Sequence, residues 1–347
     1  MKPVLQTPLT DLKASVPNAE AGDAKKLADL RSEFPILARL VHGKPLAYLD
    51  NGATTLKPRI VLEAMNRYYT HETANVHRGI HTLSEEASAS YEGARDKIRD
   101  FIGAEHREEI IFTRGTTEGV NLVAQSWGRK NLRAGDEILV THLEHHANIV
   151  PWQMLAEEKQ TVLKVAPVDD RGELILESFE KLLSPKTKLV SFLAVSNAIG
   201  TVLPVREMIR LVRKKTSALI LIDAAQRVSH METKVRDLDC DFLVFSGHKL
   251  FGPTGIGILY GKKKFLEAMP PWQGGGDMIR SVDFSGTTYN DLPYKFEAGT
   301  PHIAGAIGLG AAVDFVKSVG FDFIHRTEQK LLAEGRALLV EVPGLRI

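Results

Sequence analysis

The stretch DFLVFSGHKLFGPTGIGILYG, Asp241 to Gly261, places one lysine between two apolar runs. Both runs, DFLVFS and GIGILYG, are short and apolar, which is typical of buried strands. The segment that joins them carries Ser246, His248 and Lys249 before a turn rich in glycine and proline. A lysine at the end of a buried strand calls for an explanation, because a lone lysine is more often a solvated surface charge.

Similar apolar runs recur along the chain. They are EIIFT, EILVTH, KLVSFLAVS and ALILIDAA, and they are interleaved with helical patterns such as AMNRYYTHE and EEASASYEGARDKIRDFIG. The spacing leaves room for helical crossovers, and continuous apolar strands are typical of a parallel sheet that is covered on both faces. The sequence therefore predicts an α/β fold with a mostly parallel central sheet.

Composition excludes several classes of partner. The 347 residues include 44 Lys and Arg against 43 Asp and Glu, so no global charge favours nucleic acid or an anionic membrane. The single cysteine, Cys240, excludes an internal disulfide framework and fits a reducing compartment. The sequence shows neither a signal peptide nor an apolar run of about 18 residues, so we expect a cytoplasmic protein without a membrane partner.

Polar side chains follow several of the predicted strands, at the positions where open α/β sheets bind ligands. These candidates are His145, Asn197, Asp223, Gln226, Ser246, His248 and Lys249. Thr116 and Thr117 stand just before a helical stretch, where hydroxyls and free backbone N–H groups form an anion site. An amine, a carboxylate, an imidazole and a phosphate cradle together suit pyridoxal phosphate better than other common cofactors.

Each candidate has a role in binding that cofactor. We expect Lys249 to form the Schiff base with the aldehyde and Asp223 to keep the pyridine nitrogen protonated. Gln226 and Asn197 can donate to the ring hydroxyl oxygen, and the ring of His145 can lie over the cofactor face. Simpler explanations stay open, since Asp and Thr commonly cap helices, Asn is common in turns, and a histidine ring can simply be packed.

The histidines suggest a rival chemistry. His77 and His81 are spaced i, i+4, and His142, His145 and His146 form an H-x-x-H-H pattern, so a zinc hydrolase is a second hypothesis. No H-E-x-x-H motif and no evident carboxylate base accompany them, and we expect no metal site. A catalytically inactive binding or scaffold protein is a third hypothesis.

Blocks of the sequence also resemble SUF-type (group II) cysteine desulfurases and, closely, selenocysteine lyases. The blocks are AYLDNGATTLKP, NVHRGIHTLS, RGTTEGVNLVAQSWG, EHHANIVPWQML, DAAQRVSH, LDCDFLVFSGHKLFGPTGIGILYG, PPWQGGGDMI and FEAGTP. The resemblance implies a fold type I, class V aminotransferase-like homodimer with a large domain and a small domain that is incomplete here. It implies an enzyme that converts L-cysteine to alanine, with L-selenocysteine as an alternative substrate. The sulfur would leave as a persulfide for an acceptor protein of the SUF system and iron–sulfur cluster assembly.

Matched positions in these blocks imply site residues. The resemblance gives Lys249, Asp223, Gln226, Asn197 and His145 the roles described above. It further implies that Thr117, Ser246 and His248 hold the phosphate, that Thr300 reaches the phosphate of the other subunit, and that His77 and Arg78 line the substrate entrance.

We expect four segments along the chain. They are a flexible leader at residues 1–24, a contribution to the small domain and the active-site edge at 25–50, a large cofactor-binding domain at 51–310, and the start of the C-terminal small domain at 311–347.

The C-terminal end departs from the family pattern. Desulfurases of this group carry a nucleophilic cysteine in a C-terminal loop, followed by an arginine for the substrate carboxylate, whereas this sequence stops at EVPGLRI. We therefore expect a truncated chain that is itself inactive, while the full-length protein is a cysteine desulfurase. Cys240 is expected to be a small buried residue rather than the nucleophile. Selenocysteine lysis, transamination, epimerisation and an inactive cofactor-binding remnant are the alternatives, because the cofactor residues serve them equally.

Overall fold

A computed structural model describes residues 21–345 of the chain. Its strands are β1 (Leu40–Val41), β2 (Lys44–Pro45), β3 (Ile110–Thr113), β4 (Glu137–Thr141), β5 (Val162–Ala166), β6 (Thr187–Leu193), β7 (Leu219–Asp223), β8 (Phe242–Ser246), β9 (Gly257–Gly261), β10 (Ile279–Asp283) and β11 (Gly286–Tyr289). Its helices are α1 (Ala21–Ser32), α2 (Arg59–Arg67), α3 (Thr82–Ile102), α4 (Thr116–Val123), α5 (Arg129–Asn131), α6 (Val150–Lys159), α7 (Leu176–Leu182), α8 (Val205–Lys215), α9 (Val235–Leu238), α10 (Lys263–Ala268), α11 (Ile303–Val319) and α12 (Phe321–Val340).

The predicted leader falls mostly outside this range. Residues 1–20 of the leader lie outside the described residues, and residues 21–24 belong to α1. The division into four segments stays a prediction.

The central sheet has the strand order β3-β9-β8-β7-β6-β4-β5. Strands β8, β7, β6, β4 and β5 pair in parallel, and β9 runs antiparallel to both of its neighbours, β3 and β8. The predicted mostly parallel sheet is confirmed. Strand β5 was not predicted, because Lys164 interrupts its apolar run and this edge strand is largely exposed.

Apolar side chains cover both faces of the sheet. In β7, Leu219 and Leu221 belong to one hydrophobic cluster, whereas Ile220 and Ile222 belong to another. Successive residues of a strand point to opposite faces, so each cluster fills one side of the sheet. This explains why the central strands are continuous apolar runs and why polar groups gather at the strand ends.

Helix α11 is buried over most of its surface, whereas α12 buries only Phe323. Small residues let α11 approach α3 closely: a Cβ on Gly310 would lie 2.9 Å from the Cβ of Ala94. Within residues 21–345 no single helix is long and apolar enough to cross a membrane. Helices α11 and α12 taken together have the length and composition of a membrane span, but the two helices meet at an angle of 74°.

A buried ion pair takes the place of a neighbouring strand along the sheet edge at β3. Arg95 Nη1 donates to the carbonyl of Ile110 at 2.7 Å, and Glu297 Oε1 accepts from the N–H of Phe112 at 2.7 Å. Arg95 and Glu297 bind each other through two hydrogen bonds of 2.7 and 2.9 Å. The guanidinium also lies 4.4 Å from the centroid of the Phe112 ring. The pair thus satisfies the outward backbone groups of β3 and attaches Glu297 to the sheet.

Arg95→Ala is expected to lower the free energy of unfolding by about 3–5 kcal/mol, because Glu297 would stay buried without its cation. Denaturant unfolding measures this loss. The double variant Arg95→Met with Glu297→Gln removes both charges and should recover part of the stability. If the double variant is no more stable than Arg95→Ala, the buried charge is not the cause.

Candidate active site

A cavity of about 590 Å³ lies at the carboxyl edge of the parallel strands. The predicted site residues that line it are Thr116, Thr117, His145, Asn197, Asp223, Gln226, Ser246, His248 and Lys249. Because the carboxyl ends of parallel strands meet at one edge, residues from distant parts of the sequence come together here. The structure therefore brings together nine of the twelve predicted site residues.

Asp223 and Lys249 have perturbed pKa values of opposite sign. Burial raises the pKa of Asp223 to about 6, although the N–H of Ala225, at 2.9 Å, and the charge of Lys249 both lower it. Burial lowers the pKa of Lys249, and Asp223 partly opposes this effect. A lowered pKa gives the lysine a larger fraction of neutral amine, which is the form that attacks an aldehyde. The hydrogen bond from Ala225 to Asp223 caps a turn. It does not cap a helix, because the residues that follow Asp223 form no helix.

The predicted phosphate cradle is the N-terminus of α4. Thr116 and Thr117 are the first residues of this helix rather than the residues just before it. The N–H of Thr116 donates to Ser246 Oγ at 2.9 Å, and the two hydroxyl oxygens lie 2.9 Å apart. Gly257 permits this approach, because a Cβ there would lie 2.5 Å from the Cα of Gly115. Hydroxyls and a helix N-terminus at one point suit a phosphate group.

His145 carries its proton on Nε2. Its Nδ1 accepts a hydrogen bond from the N–H of Ala147 at 3.1 Å, so this nitrogen is unprotonated. Burial, followed by the charges of Lys249 and His146, lowers the pKa of His145 and keeps the ring neutral. A neutral ring at the cavity wall can stack on an aromatic cofactor without adding charge.

The two predicted amides differ in their contacts. Gln226 Nε2 donates to the carbonyl of Gly52 at 2.8 Å, so this residue holds an N-terminal segment against the cavity. Asn197 is exposed and lies in a turn, as the simpler explanation for it expected. Both line the cavity, and their donation to a ring oxygen stays a prediction.

Three predicted site residues lie elsewhere. His77 Nε2 lies 3.2 Å from Glu92 Oε1, and Arg78 forms an ion pair with Asp277. Thr300 is exposed and lines a second cavity of about 450 Å³. None of the three lines the cofactor cavity in the described part of this single chain. Their predicted roles at the entrance and at the partner's phosphate stay predictions.

Two of the histidines that suggested zinc make other contacts. His81 Nδ1 accepts from the N–H of Ser84 at 3.3 Å at the start of α3, while His77 pairs with Glu92. Across residues 21–345, no three His, Cys, Asp or Glu side chains form a group that could hold a metal ion. The zinc hypothesis thus has no supporting geometry.

Cys240 is fully buried, as predicted. Burial and the nearby carboxylate of Asp241 raise the pKa of its thiol to about 12. Because the thiolate is the nucleophile, this residue is unreactive near neutral pH.

A buried carboxyl group beside His145 was not predicted. Glu144 accepts hydrogen bonds from Asn148 Nδ2 at 2.7 Å and from the N–H of Leu193 at 2.8 Å, and it contacts the hydroxyl of Thr141. Burial raises the pKa of Glu144 to about 8, which favours its neutral form at neutral pH, although the hydroxyl of Thr141 donates to its Oε1 and lowers the pKa. These bonds fix the loop that carries His145. A single glutamate after a strand gives no sign of burial in the sequence.

Glu144→Gln is expected to flatten the pH dependence of stability. The ordinary pKa of this carboxyl is 4.5 and its folded value is about 8, so its proton stabilises the fold at low pH. That contribution declines as pH rises between those two values, because the folded protein binds the proton more tightly than the unfolded chain does. Urea unfolding of parent and variant from pH 6 to 8 measures it, and Asp223, whose pKa is about 6, titrates in the lower part of this range in both proteins. A variant whose profile runs parallel to that of the parent would show that Glu144 does not titrate there.

Comparison with known proteins places the chain among characterised sequences. A family model described as aminotransferase class-V matches residues 47–347. The cysteine desulfurase of Synechococcus elongatus is 52% identical over 318 residues, which cover 92% of this chain and 51% of that protein. The cysteine desulfurase of Dickeya dadantii is 51% identical over 319 residues, covering 92% of this chain and 77% of that protein.

A solved structure shares the fold closely. The apo cysteine desulfurase of Thermococcus onnurineus NA1 superposes with a TM-score of 0.85 at 40% identity, and the match covers 92% of this chain and 83% of that one. The chain spans about half the length of several curated relatives that it matches.

Proposed function

We propose that this chain, which belongs to the class V aminotransferase family, is a pyridoxal phosphate-dependent cysteine desulfurase. The proposal is supported by its homology to cysteine desulfurases. The family confirms two predictions, the fold type I architecture and the cofactor. The proposed reaction converts L-cysteine to L-alanine and passes the sulfur as a persulfide to an acceptor protein of the SUF type, for iron–sulfur cluster assembly. The observation that carries the proposal is a lysine of lowered pKa that shares a cavity with a buried aspartate and a phosphate cradle.

The residues of the cavity fit this cofactor. Pyridoxal phosphate supplies an aldehyde that bonds to amines and a ring that withdraws electrons from the substrate. Lys249 would hold the aldehyde carbon, and Asp223 would keep a proton on the ring nitrogen. Thr117 and Ser246 would hold the phosphate, together with His248, whose pKa is lowered by burial and by Lys249 and Lys57.

Two further contributions come from the walls of the cavity. The neutral ring of His145 would cover one face of the cofactor and exclude water from it. Nζ of Lys249, when it is not bonded to the cofactor, would move a proton at the substrate Cα.

Sulfur removal also needs a thiol that accepts the sulfur. Cys240 is the only cysteine of the sequence, and its burial and high pKa do not fit that role. We therefore propose that the accepting thiol comes from outside these 347 residues. The same observation favours a second candidate, a pyridoxal phosphate-binding protein without desulfurase activity. L-Selenocysteine is an alternative substrate, since the cofactor residues would serve it equally.

We further propose a homodimer in a reducing, cytoplasmic compartment. The dimer is supported by the exposure of Thr300 beside the second cavity, from which it would reach the phosphate site of the other subunit. His77 and Arg78 would line the substrate entrance between the subunits. The compartment is supported by the single, unpaired cysteine.

Lys249→Ala is expected to abolish the visible absorbance that the parent protein develops with pyridoxal phosphate, because no amine would remain to bind the aldehyde. Borohydride reduction followed by peptide mapping should place the cofactor on Lys249 in the parent and nowhere in the variant. Lys264→Ala, which removes an exposed lysine, is the matched control and should behave like the parent. Labelling of Lys262, Lys263 or Lys264 in Lys249→Ala would contradict the assignment.

Cys240→Ala is expected to leave alanine formation from L-cysteine unchanged when dithiothreitol supplies the accepting thiol. The reason is that a buried thiol with a pKa near 12 contributes no thiolate at neutral pH. Mass spectrometry of the parent after turnover should find no added sulfur on Cys240. A persulfide on this residue, together with lost activity in the variant, would make Cys240 the nucleophile.

A further inference from the structure

The peptide that leads into Lys249 is held by one short segment of the N-terminal region. The carbonyl oxygen of His248 accepts from the N–H of Thr55 at 2.9 Å and from its hydroxyl at 3.0 Å. The hydroxyl of Thr54 lies 3.3 Å from the same oxygen, and Lys57 Nζ lies 3.1 Å from it. A carbonyl oxygen has two lone pairs, so the number of donors exceeds what its satisfaction requires. Such convergence restricts the position of this peptide.

The same threonine holds the chain on the other side of the lysine. Thr55 Oγ1 accepts from the N–H of Phe251 at 2.8 Å. Phe251 has a φ of 59°, which is uncommon for a bulky residue and needs support from its surroundings. The hydroxyl of Thr55 is buried, donates to His248 and accepts from Phe251, so one group spans both sides of Lys249.

Lys57 reinforces this contact. Its Nζ donates to the carbonyl of Thr55 at 2.6 Å as well as to that of His248. The ammonium therefore bridges the two segments, and burial lowers its pKa to about 8. We refer to Thr55 and Lys57 as the clamp.

The clamp continues a segment that forms the cavity wall. Leu49, Asp50, Gly52 and Ala53 precede it and line the cavity, whereas neither Thr55 nor Lys57 does so in the described chain. The clamp residues therefore do not line that cavity, and they act on it through the backbone of His248 and Lys249 and through the wall segment that they continue.

We propose that Thr55 and Lys57 are positioning residues that fix the backbone around Lys249 and so place its amine for attack on the cofactor aldehyde. The inference rests on the proposed function, in which Lys249 is the cofactor lysine. It assigns a role to two residues that lie more than 190 positions from the lysine turn and outside the cavity.

Matched substitutions separate the hydroxyl and the charge from the bulk of each side chain. Thr55→Val keeps the shape and removes the hydroxyl, whereas Thr55→Ser keeps the hydroxyl. Lys57→Met removes the cation, whereas Lys57→Arg keeps it. For each variant, apoprotein is mixed with pyridoxal phosphate and samples are reduced with borohydride at successive times. The amount of cofactor fixed to Lys249 gives the rate of capture. A pH titration of the capture rate of the apoprotein and thermal unfolding of the apoprotein complete the set.

Thr55→Val is expected to slow cofactor capture on the order of tenfold, as the loss of a buried hydrogen-bonding hydroxyl implies. The midpoint of this titration should move to higher pH, because capture needs the neutral amine and a lysine released from its buried position regains a higher pKa. Lys57→Met should show the same two effects. Thr55→Ser and Lys57→Arg should restore the parent values, which a loss of stability alone would not explain.

Three outcomes are distinguishable. If Thr55→Val and Lys57→Met unfold at lower temperature but keep the parent capture rate and titration midpoint, both residues are only structural and the proposal is wrong. If capture is slow in Thr55→Ser and Thr55→Val alike, the hydroxyl is not responsible and the clamp is again wrong. If Lys249→Ala still captures the cofactor at another lysine, the proposed function itself fails, and the clamp fails with it.

Discussion

Burial of both faces of the central sheet is the constraint on which the rest of the structure depends. Apolar side chains fill the space above and below β7 and β8, so neither face offers room for a polar ligand site. The chemistry is thereby confined to the carboxyl edge, where Asp223 ends β7 and Ser246 ends β8. The same burial removes water from the bases of these side chains, and this desolvation is the largest cause of the shifted pKa values of Asp223 and Lys249. The fold therefore both locates the site and sets its electrostatics.

The electrostatics of the edge also favour a state in which only one carboxyl group is charged. Glu144 and Asp223 interact unfavourably, since the charge of Asp223 adds to the burial that raises the pKa of Glu144. A raised pKa favours the neutral form of Glu144, which holds the loop of His145 through hydrogen bonds without adding a second negative charge. A cationic ring nitrogen would then meet one carboxylate at a defined place, that of Asp223. The neutral ring of His145 is consistent with this division, as its Nδ1 is occupied by a backbone N–H.

Patterns among neighbouring residues predicted the features of the structure that depend on local sequence. The apolar runs predicted six strands of the sheet, and the polar residues that follow them predicted most of the cavity wall, including Asp223, Ser246 and Lys249. Strand β5 was missed because an exposed edge strand with a lysine lacks the apolar run of a central strand. Glu144 was missed because its burial depends on tertiary contacts with β6. Thr300 was assigned through family resemblance alone, and the contacts within one chain do not bring it into the cavity.

The sequence does not predict the contacts that hold the backbone around Lys249, because they join residues that lie far apart in the chain. A lysine side chain has a flexible four-carbon stem, so a nucleophilic amine can be placed only if its backbone is fixed or its amine is bound. Binding the amine through hydrogen bonds would occupy the atom that reacts. Thr55 and Lys57 act instead on the carbonyl of His248, and Thr55 also acts on the N–H of Phe251, so the constraint falls on the backbone. Restraint and reactivity are thus carried by different atoms, which would leave Nζ of Lys249 available to the cofactor in the proposed function.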